Sequence, residues 1–370
     1  MPLNTKANLP RNITLQLTEA CNLRCKMCYY WGEKGCYSND ASDKKPASLN
    51  PIRLKQLIEE LESAKPHYSL FGGEPLTYNH LKDIVIAIKN AGSSVDTPTN
   101  GTLLKNYSSM LVKTGFDLVR VSIDGTEEFN DIQRGKGSYN KAMEGIEILY
   151  NEKQSNNSKS PSIEIISTIT PDTYRSIEQF ILNDLNLEMI NIVTLQIVNF
   201  ITEEMGQAYS KMLKKVFEIQ SDKYWRCLVS STDAFNSIDT KVLSKQIIKI
   251  RQVLREKKIN LILEPPNFTP ANLDAYFKAD WDNMIDQYET CYVPWVSTDI
   301  TATGEVAPCH IFYDLVMGNI YEQSFEDIWN NKKFQLFRDY MNKFKLMPIC
   351  YGCCILYLAG KKKRSRFKKL

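Results

Sequence analysis

Apolar positions along this chain recur with two alternating periods. Leu54, Leu57, Ile58 and Leu61 fall three and four apart, as do Leu81, Ile84, Val85 and Ile88, and Met143, Ile146 and Leu149 repeat the spacing. Each set puts one apolar stripe on a helix. Between the stripes lie short continuous apolar runs at 68–71, 117–123, 163–169 and 191–198. Runs of that length read as strands buried on both faces. The alternation predicts parallel β/α units, roughly six of them between Arg11 and Phe200, beginning with a strand over residues 12–17. Residues 151–162 are polar and read as a surface loop. Residues 203–258 carry long amphipathic patterns and read as mostly helical. The run Glu264-Pro265-Pro266-Asn267-Phe268-Thr269-Pro270 breaks the pattern and marks a boundary.

Composition narrows the class without naming a chemistry. A length of 370 residues fits one large domain or two, and 43% hydrophobic content is ordinary for a globular chain. No apolar run approaches the roughly 20 residues that span a bilayer, and the first residues lack the apolar core of a signal peptide. A cytoplasmic protein with no membrane partner is expected. The net charge of +3 is local in origin: Lys361 to Leu370 holds seven basic residues, and the rest of the chain balances 39 basic against 43 acidic. The tail reads as a disordered solubilising end, and Phe367 alone gives it too little stacking surface for nucleic acid to be expected as a partner.

Ten cysteines in such a chain point to metal or redox chemistry before disulfides. Cys21, Cys25 and Cys28 sit on one short loop after the first strand. Three thiolates can hold three corners of a cubane iron–sulfur cluster and leave one iron open. Cys36 could also complete a closed site, so spacing alone leaves zinc, a closed cluster and an open cluster as readings.

Three further segments bear on the choice. Paired glycines at Gly72 and Gly73, before Glu74, let backbone approach a ligand and add a carboxylate for an ammonium. Thr99-Asn100-Gly101-Thr102 ends the next strand-like run with a turn dipeptide. Leu118 to Asp124 is a buried-type strand with polar Ser122 and Asp124 at its C-terminal end, the end that carries ligand contacts in parallel α/β folds.

Together these segments resemble the radical S-adenosylmethionine (SAM) superfamily. The cysteine spacing is similar to that family's cluster loop, with Met27 where an aromatic is usual, and Phe71-Gly72-Gly73-Glu74-Pro75 is similar to its SAM-binding segment. The resemblance implies an α/β fold, a partial (β/α)6 TIM-type barrel, with a 4Fe-4S cluster on Cys21, Cys25 and Cys28. It implies SAM held by Met27, Gly72, Gly73, Glu74, Asn100, Ser122 and Arg134, with Asp124 as a further candidate for the ribose.

A second cysteine set lies downstream. A hairpin turning at Gly304 would bring Cys291 and Cys309 together, and Cys350 and Cys353 close the set. Four thiols can close a whole site, with zinc the simplest reading by geometry. The arrangement resembles the SPASM/twitch group, and with Cys354 the last cysteine it resembles the shorter twitch form. That implies a second, auxiliary 4Fe-4S cluster on Cys291, Cys309, Cys350 and Cys353. The domains then read as a radical SAM partial barrel at 11–235, a helical linker region at 236–270, a twitch module at 271–360 and a basic tail at 361–370.

The activity the resemblance implies is that of an oxidoreductase. SAM is reductively cleaved to a 5′-deoxyadenosyl radical, which abstracts hydrogen from a substrate carbon. The auxiliary cluster then accepts an electron, so that a small polar metabolite such as a sugar or aminocyclitol is dehydrogenated. A flavodoxin- or ferredoxin-type reductant is expected. Two enzymatic alternatives stay open. One is a peptide- or protein-modifying maturase, against which the cluster loop leaves no room for a recognition domain before residue 21. The other is an epimerase using Cys36, Cys227 or Cys354 as hydrogen donor. A binding module for zinc or an iron–sulfur cluster is the non-enzymatic alternative. Gln196, Asn199, Tyr29, Tyr30 and Trp31 are candidates for the substrate site, and His310 for a contact behind the second cluster.

Overall fold

A computed structural model describes residues 8–38 and 45–363. Six parallel strands follow one another in sequence order: β1 (Asn12–Thr18), β2 (His67–Gly72), β3 (Ser94–Thr99), β4 (Leu118–Ser122), β5 (Ser162–Ile169) and β6 (Ile192–Ile197). Neighbours pair parallel throughout, for example Leu118 with Ser162 and Ile165 with Val193. The strand centres are fully buried at Ile13, Leu15, Leu70, Val119, Val121, Ile165 and Leu195, as continuous apolar runs require.

The helices that cover this sheet form where the stripes predict them. In α1 (Pro51–Glu60), Asn50 caps the first turn by accepting from the backbone N–H of Ile52 and Arg53, and Pro51 opens it. Its Leu54, Leu57 and Ile58 face the core. In α2 (Leu81–Asn90) the buried positions are Leu81, Ile84, Val85 and Ile88. These are followed by α3 (Leu104–Lys113), α4 (Glu127–Arg134) and α5 (Ser138–Ser155), where Ile146 and Leu149 are buried. The expected surface loop therefore starts late: α5 continues to Ser155, because good helix formers fill its last turn and Lys153 tucks against the body.

Two expectations about domain layout need correction. The 236–270 segment is not only helical. After the helix Thr240–Glu256 it forms β7 (Asn260–Glu264), which pairs parallel with β6 as a seventh strand. Its Leu261 and Leu263 carry the alternation that the flanking lysines and prolines obscure. The sheet also runs on at its other side. The hairpin of β9 (Ser297–Ile300) and β10 (Glu305–Ala307) joins through β9, which pairs parallel with β1. The order among the described residues is β11 (Gly318–Asn319), β10, β9, β1 to β7. The basic tail begins later than expected, since β12 (Gly360–Lys362) pairs with β8 (Tyr288–Cys291). Residues 364–370 lie outside the described residues.

Polar side chains lace one face of the strands below their C-terminal ends. Arg120 ion-pairs with Asp96 at 2.9 Å and with Glu164 at 3.1 Å, and Thr194 donates to Glu164 at 2.6 Å. Ser122, Thr168 and Gln196 point the same way as these residues, further along the same strands, because strand side chains alternate with period two. They open into the site described next.

Candidate active site

The C-terminal ends of β1 to β6 surround a cavity of about 540 Å³. Cys21, Cys25 and Cys28 line it together with Met27 and Tyr29 from the same loop. Gly72, Gly73 and Glu74 enter from the end of β2, Asn100 from the end of β3, Ser122 from β4 and Arg134 from α4. All the residues expected to hold a radical cluster and SAM face this one chamber, with Asp124 the exception.

Local sequence explains each placement. Backbone N–H groups of Gly73 and Glu74 donate to the carbonyls of Thr18 and Ala20, both at 2.8 Å. The contact is so close that a Cβ on Gly73 would stand 2.3 Å from the Ala20 carbonyl oxygen. Gly73 is thus required by approach to the cysteine loop's own backbone as well as by any ligand. The Lys26 N–H donates to the Gln133 carbonyl at 2.8 Å and pins the other side of the loop to α4.

Glu74 is buried and accepts from Thr99 Oγ1 at 2.7 Å, Asn100 N at 2.8 Å and Leu76 N at 3.0 Å. A carboxylate has about four lone-pair sites, so these bonds leave one unused, and Glu74 lines the chamber. Burial pushes its pKa up against the pull of these hydrogen bonds. Asn100 is oriented by donating to Asn22 Oδ1 at 2.9 Å and accepting from Thr102.

Asp124 is placed otherwise than expected. It is fully buried and does not line the chamber. One carboxylate oxygen accepts from Arg134 Nη2 at 2.9 Å and Thr168 N at 2.8 Å; the other meets Gln133 Nε2 at 2.5 Å and Arg134 Nε at 2.6 Å. No acceptor is left for a ribose. Asp124 instead holds the Arg134 guanidinium at the chamber wall and balances its charge, which a buried cation requires.

The three thiols are set up for a metal–sulfur group. Cys21 Sγ accepts from Leu23 N at 3.4 Å, and Cys28 Sγ from Trp31 N at 3.3 Å. Such N–H···S bonds tune cluster potentials. Burial pushes the free thiol of Cys21 up to about 12 and that of Cys25 to about 11, so metal must displace their protons. Among the described residues no three such side chains stand at the spacing of one shared ion. A cubane spreads its thiolates over separate irons and so spaces them more widely than one ion does.

The second set gathers beside the barrel. Cys291 ends β8, Cys309 follows β10, Cys350 opens a turn, and Cys353 precedes the helix Cys354–Ala359; the four line one small apolar cavity. Met347 N donates to Cys350 Sγ at 3.4 Å, a further N–H···S bond. Gly352 packs so tightly on the loop after β6 that a Cβ there would stand 1.9 Å from the Phe200 carbonyl oxygen.

The remaining candidates divide. Gln196, Asn199, Tyr29, Tyr30 and Cys227 line the chamber. Trp31 does not: its indole N–H donates to the Glu19 carbonyl at 2.6 Å and its ring packs on Tyr37. Cys354 lies outside the chamber wall, hydrogen-bonded to Cys353 and Asn199. Cys36 is buried against Cys227 and away from the chamber surface. His310 is held by Asp299 at 2.8 Å and hydrogen-bonds Tyr29. Sequence reasoning missed Gln133, Thr170 and Ser230 in the wall; no pattern in the chain marks them.

Comparison with known proteins decides the family. The Radical SAM superfamily matches residues 15–181, and an iron-sulfur cluster-binding domain of SPASM type matches residues 291–354. The chain belongs to the radical SAM superfamily. It is a radical SAM enzyme, with SAM and iron–sulfur clusters as its cofactors and an iron-sulfur cluster-binding domain in its C-terminal part.

Its relatives work on varied substrates. It is 23% identical over 363 residues to the tungsten-containing aldehyde ferredoxin oxidoreductase cofactor-modifying protein of Pyrococcus furiosus, covering 92% of this chain and 86% of that one. It is 26% identical over 359 residues to the AdoMet-dependent heme synthase of Methanosarcina barkeri, covering 94% and 89%. Streptococcus suis SuiB, solved with S-adenosylmethionine, shares the fold with a TM-score of 0.62 at 14% identity, over 90% of this chain and 68% of SuiB. Among the described residues no helix is long and apolar enough to cross a membrane.

Proposed function

We propose that this radical SAM enzyme oxidises a small polar metabolite, such as a sugar or aminocyclitol, bound in the chamber. Cys21, Cys25 and Cys28 hold the radical cluster; Glu74, Asn100, Ser122 and Arg134, with Met27 and the Gly72–Gly73 backbone, hold SAM. When bound, SAM and the cluster would supply a 5′-deoxyadenosyl radical by one-electron cleavage. The observation that carries the reading is the convergence of these residues on one chamber. Glu74 offers its free lone pair to an ammonium, and Arg134, braced by Asp124, offers its charge to a carboxylate. Gln196, Asn199, Thr168 and Ser230 give the far wall hydrogen-bonding groups suited to hydroxyls.

Cys291, Cys309, Cys350 and Cys353 hold a single auxiliary cluster, the twitch arrangement. Four protein ligands leave it no vacant iron, which fits a role as electron acceptor. A flavodoxin- or ferredoxin-type protein supplies the priming electron. A peptide substrate is the second reading, favoured by SuiB having been solved with its precursor peptide SuiA.

Anaerobic reconstitution tests the core of this reading. The expected result is about eight irons per chain, two 4Fe-4S clusters, and 5′-deoxyadenosine on reduction with SAM. Alanine at all four of Cys291, Cys309, Cys350 and Cys353 should halve the iron and leave SAM cleavage. Zinc in place of iron, with no SAM cleavage, would overturn it.

A further inference from the structure

Two thiols outside both cluster sets meet beside the chamber. Cys36 lies on the segment that follows the cluster loop, and Cys227 ends the short helix Lys223–Arg226 as its cap. They belong to one aromatic cluster with Tyr30, Trp31, Tyr37 and Tyr313, against which Cys21, Cys28 and Tyr224 also pack. The two sulfurs are hydrogen-bonded to each other, with Lys223 close to both. Cys227 lines the chamber, in common with Cys28, Gln196 and Asn199, whereas Cys36 sits behind it, buried. Nothing in the oxidation described above uses either thiol.

We propose that Cys36 and Cys227 form a hydrogen-donating dithiol that opens onto the chamber and gives the substrate radical a second exit, return of a hydrogen atom. The chemistry follows from the contact. One thiol can give its hydrogen atom to the carbon radical while the thiyl left behind bonds the second sulfur, which releases its proton. The carbon radical gains a C–H bond, and the sulfurs join in a disulfide radical anion. Loss of one electron, which an oxidised 4Fe-4S cluster bound to this chain would accept, leaves a disulfide. Across the whole turnover, SAM and two thiols become methionine, 5′-deoxyadenosine, a disulfide and a proton, with the priming electron returned. An external dithiol resets the pair. The positive charge of Lys223 favours the anionic disulfide radical, and Cys227, half-buried in the chamber wall, exchanges its proton with solvent.

The consequence is a product that depends on the pair's redox state. With the dithiol present the substrate radical is quenched with solvent-derived hydrogen. With the disulfide present only the oxidative exit remains. The inference rests on radical formation in the chamber and goes beyond the oxidation proposed above.

The test needs no substrate. Cluster-loaded protein in D₂O, free of added thiol, is primed with titanium(III) citrate and SAM alone, so that the nearest hydrogen donor quenches the 5′-deoxyadenosyl radical. The expected outcome is deuterium in most of the 5′-deoxyadenosine formed, together with a Cys36–Cys227 disulfide found by alkylation and mass spectrometry. Cys227→Ser should lose the deuterium, counted per 5′-deoxyadenosine, and Cys36→Ser should lose the disulfide. 5′-Deoxyadenosine without deuterium, or deuterium unchanged in Cys227→Ser, would overturn the proposal while leaving SAM cleavage intact. Absence of 5′-deoxyadenosine would instead sink the reading on which it rests. Should either variant fold poorly, mild diamide oxidation of the unaltered cluster-loaded chain serves. It should protect Cys36 and Cys227 from alkylation as a linked pair, and their remaining separately alkylated would refute the pairing.

Discussion

The phenol of Tyr29 hydrogen-bonds Nε2 of His310. Tyr29 follows Cys28, and His310 follows Cys309, so one hydrogen bond ties the loop of the first cysteine set to that of the second. Asp299 on β9 accepts from Tyr313 at 3.0 Å and holds the other His310 nitrogen, which fixes the imidazole from behind. Tyr29→Phe would leave a part-buried ring nitrogen without its partner. The expected cost is about 1 kcal/mol, the net worth of an ordinary hydrogen bond. Chemical denaturation of the cluster-loaded protein measures it. His310→Phe, which removes both ends of the bond's histidine side, should also shift the midpoint potential of the auxiliary cluster, read by EPR-monitored titration.

Asp124 and Arg134 make a second test. Asp124→Asn removes the counter-charge of a buried guanidinium, and breaking one partner of such a pair costs about 3–5 kcal/mol. SAM affinity of the reconstituted protein should fall with it, because Arg134 loses the group that aims it at the chamber. Calorimetric titration with SAM and a thermal melt separate the two effects. Wild-type affinity in Asp124→Asn would show that Arg134 does not depend on Asp124 for its aim.

Gly73→Ala should disable the cluster loop. The new methyl would meet backbone oxygens of Ala20 at 2.3 Å and Glu19 at 2.4 Å, which have no rotamer to escape into. The loop must move, and iron bound at the first site should drop by about half of the chain's total, given two four-iron clusters. Iron analysis checks this, and the auxiliary cluster serves as the internal control.

Glu264 gives the pH dependence. It ends β7, is buried, and its carboxyl is pushed up to about 9 by burial, with Cys354 nearby adding to the shift. The unfolded chain loses this proton near an ordinary carboxyl value of about 4.3. Between those values the folded state holds a proton that the unfolded state has lost, so stability falls as pH rises from about 4.3 toward 9. Glu264→Gln should flatten Tm across pH 5–9 and raise it most at the alkaline end. A parallel pH dependence in wild type and variant would exclude the assignment.

Much of this architecture was legible because its signals are local. Helix stripes such as Leu81 to Ile88 and strand runs such as 163–169 carry their period in a few residues, and the cysteine spacings sit on single loops. What was not legible depends on contacts between distant segments. β7 looks like part of a helical stretch until its pairing with β6 is seen. Asp124 reads as a ligand-facing residue by position, and only the crossing of Arg134, Gln133 and Thr168 shows that its oxygens are taken. Trp31 stands beside the cluster loop in sequence but turns its indole to the Glu19 carbonyl. Cys36 and Cys227 are far apart along the chain, and no spacing rule brings them together.

The parallel pairing of β9 with β1 has a practical consequence for truncation. Cutting the chain before Ser297 would strip β1 of its neighbour and expose a row of unpaired N–H and C=O groups along an apolar strand. Such an edge invites pairing with other chains. A barrel fragment ending near residue 270 should therefore self-associate rather than persist as a smaller soluble enzyme, and attempts to swap this C-terminal module between relatives must carry a strand that fits β1.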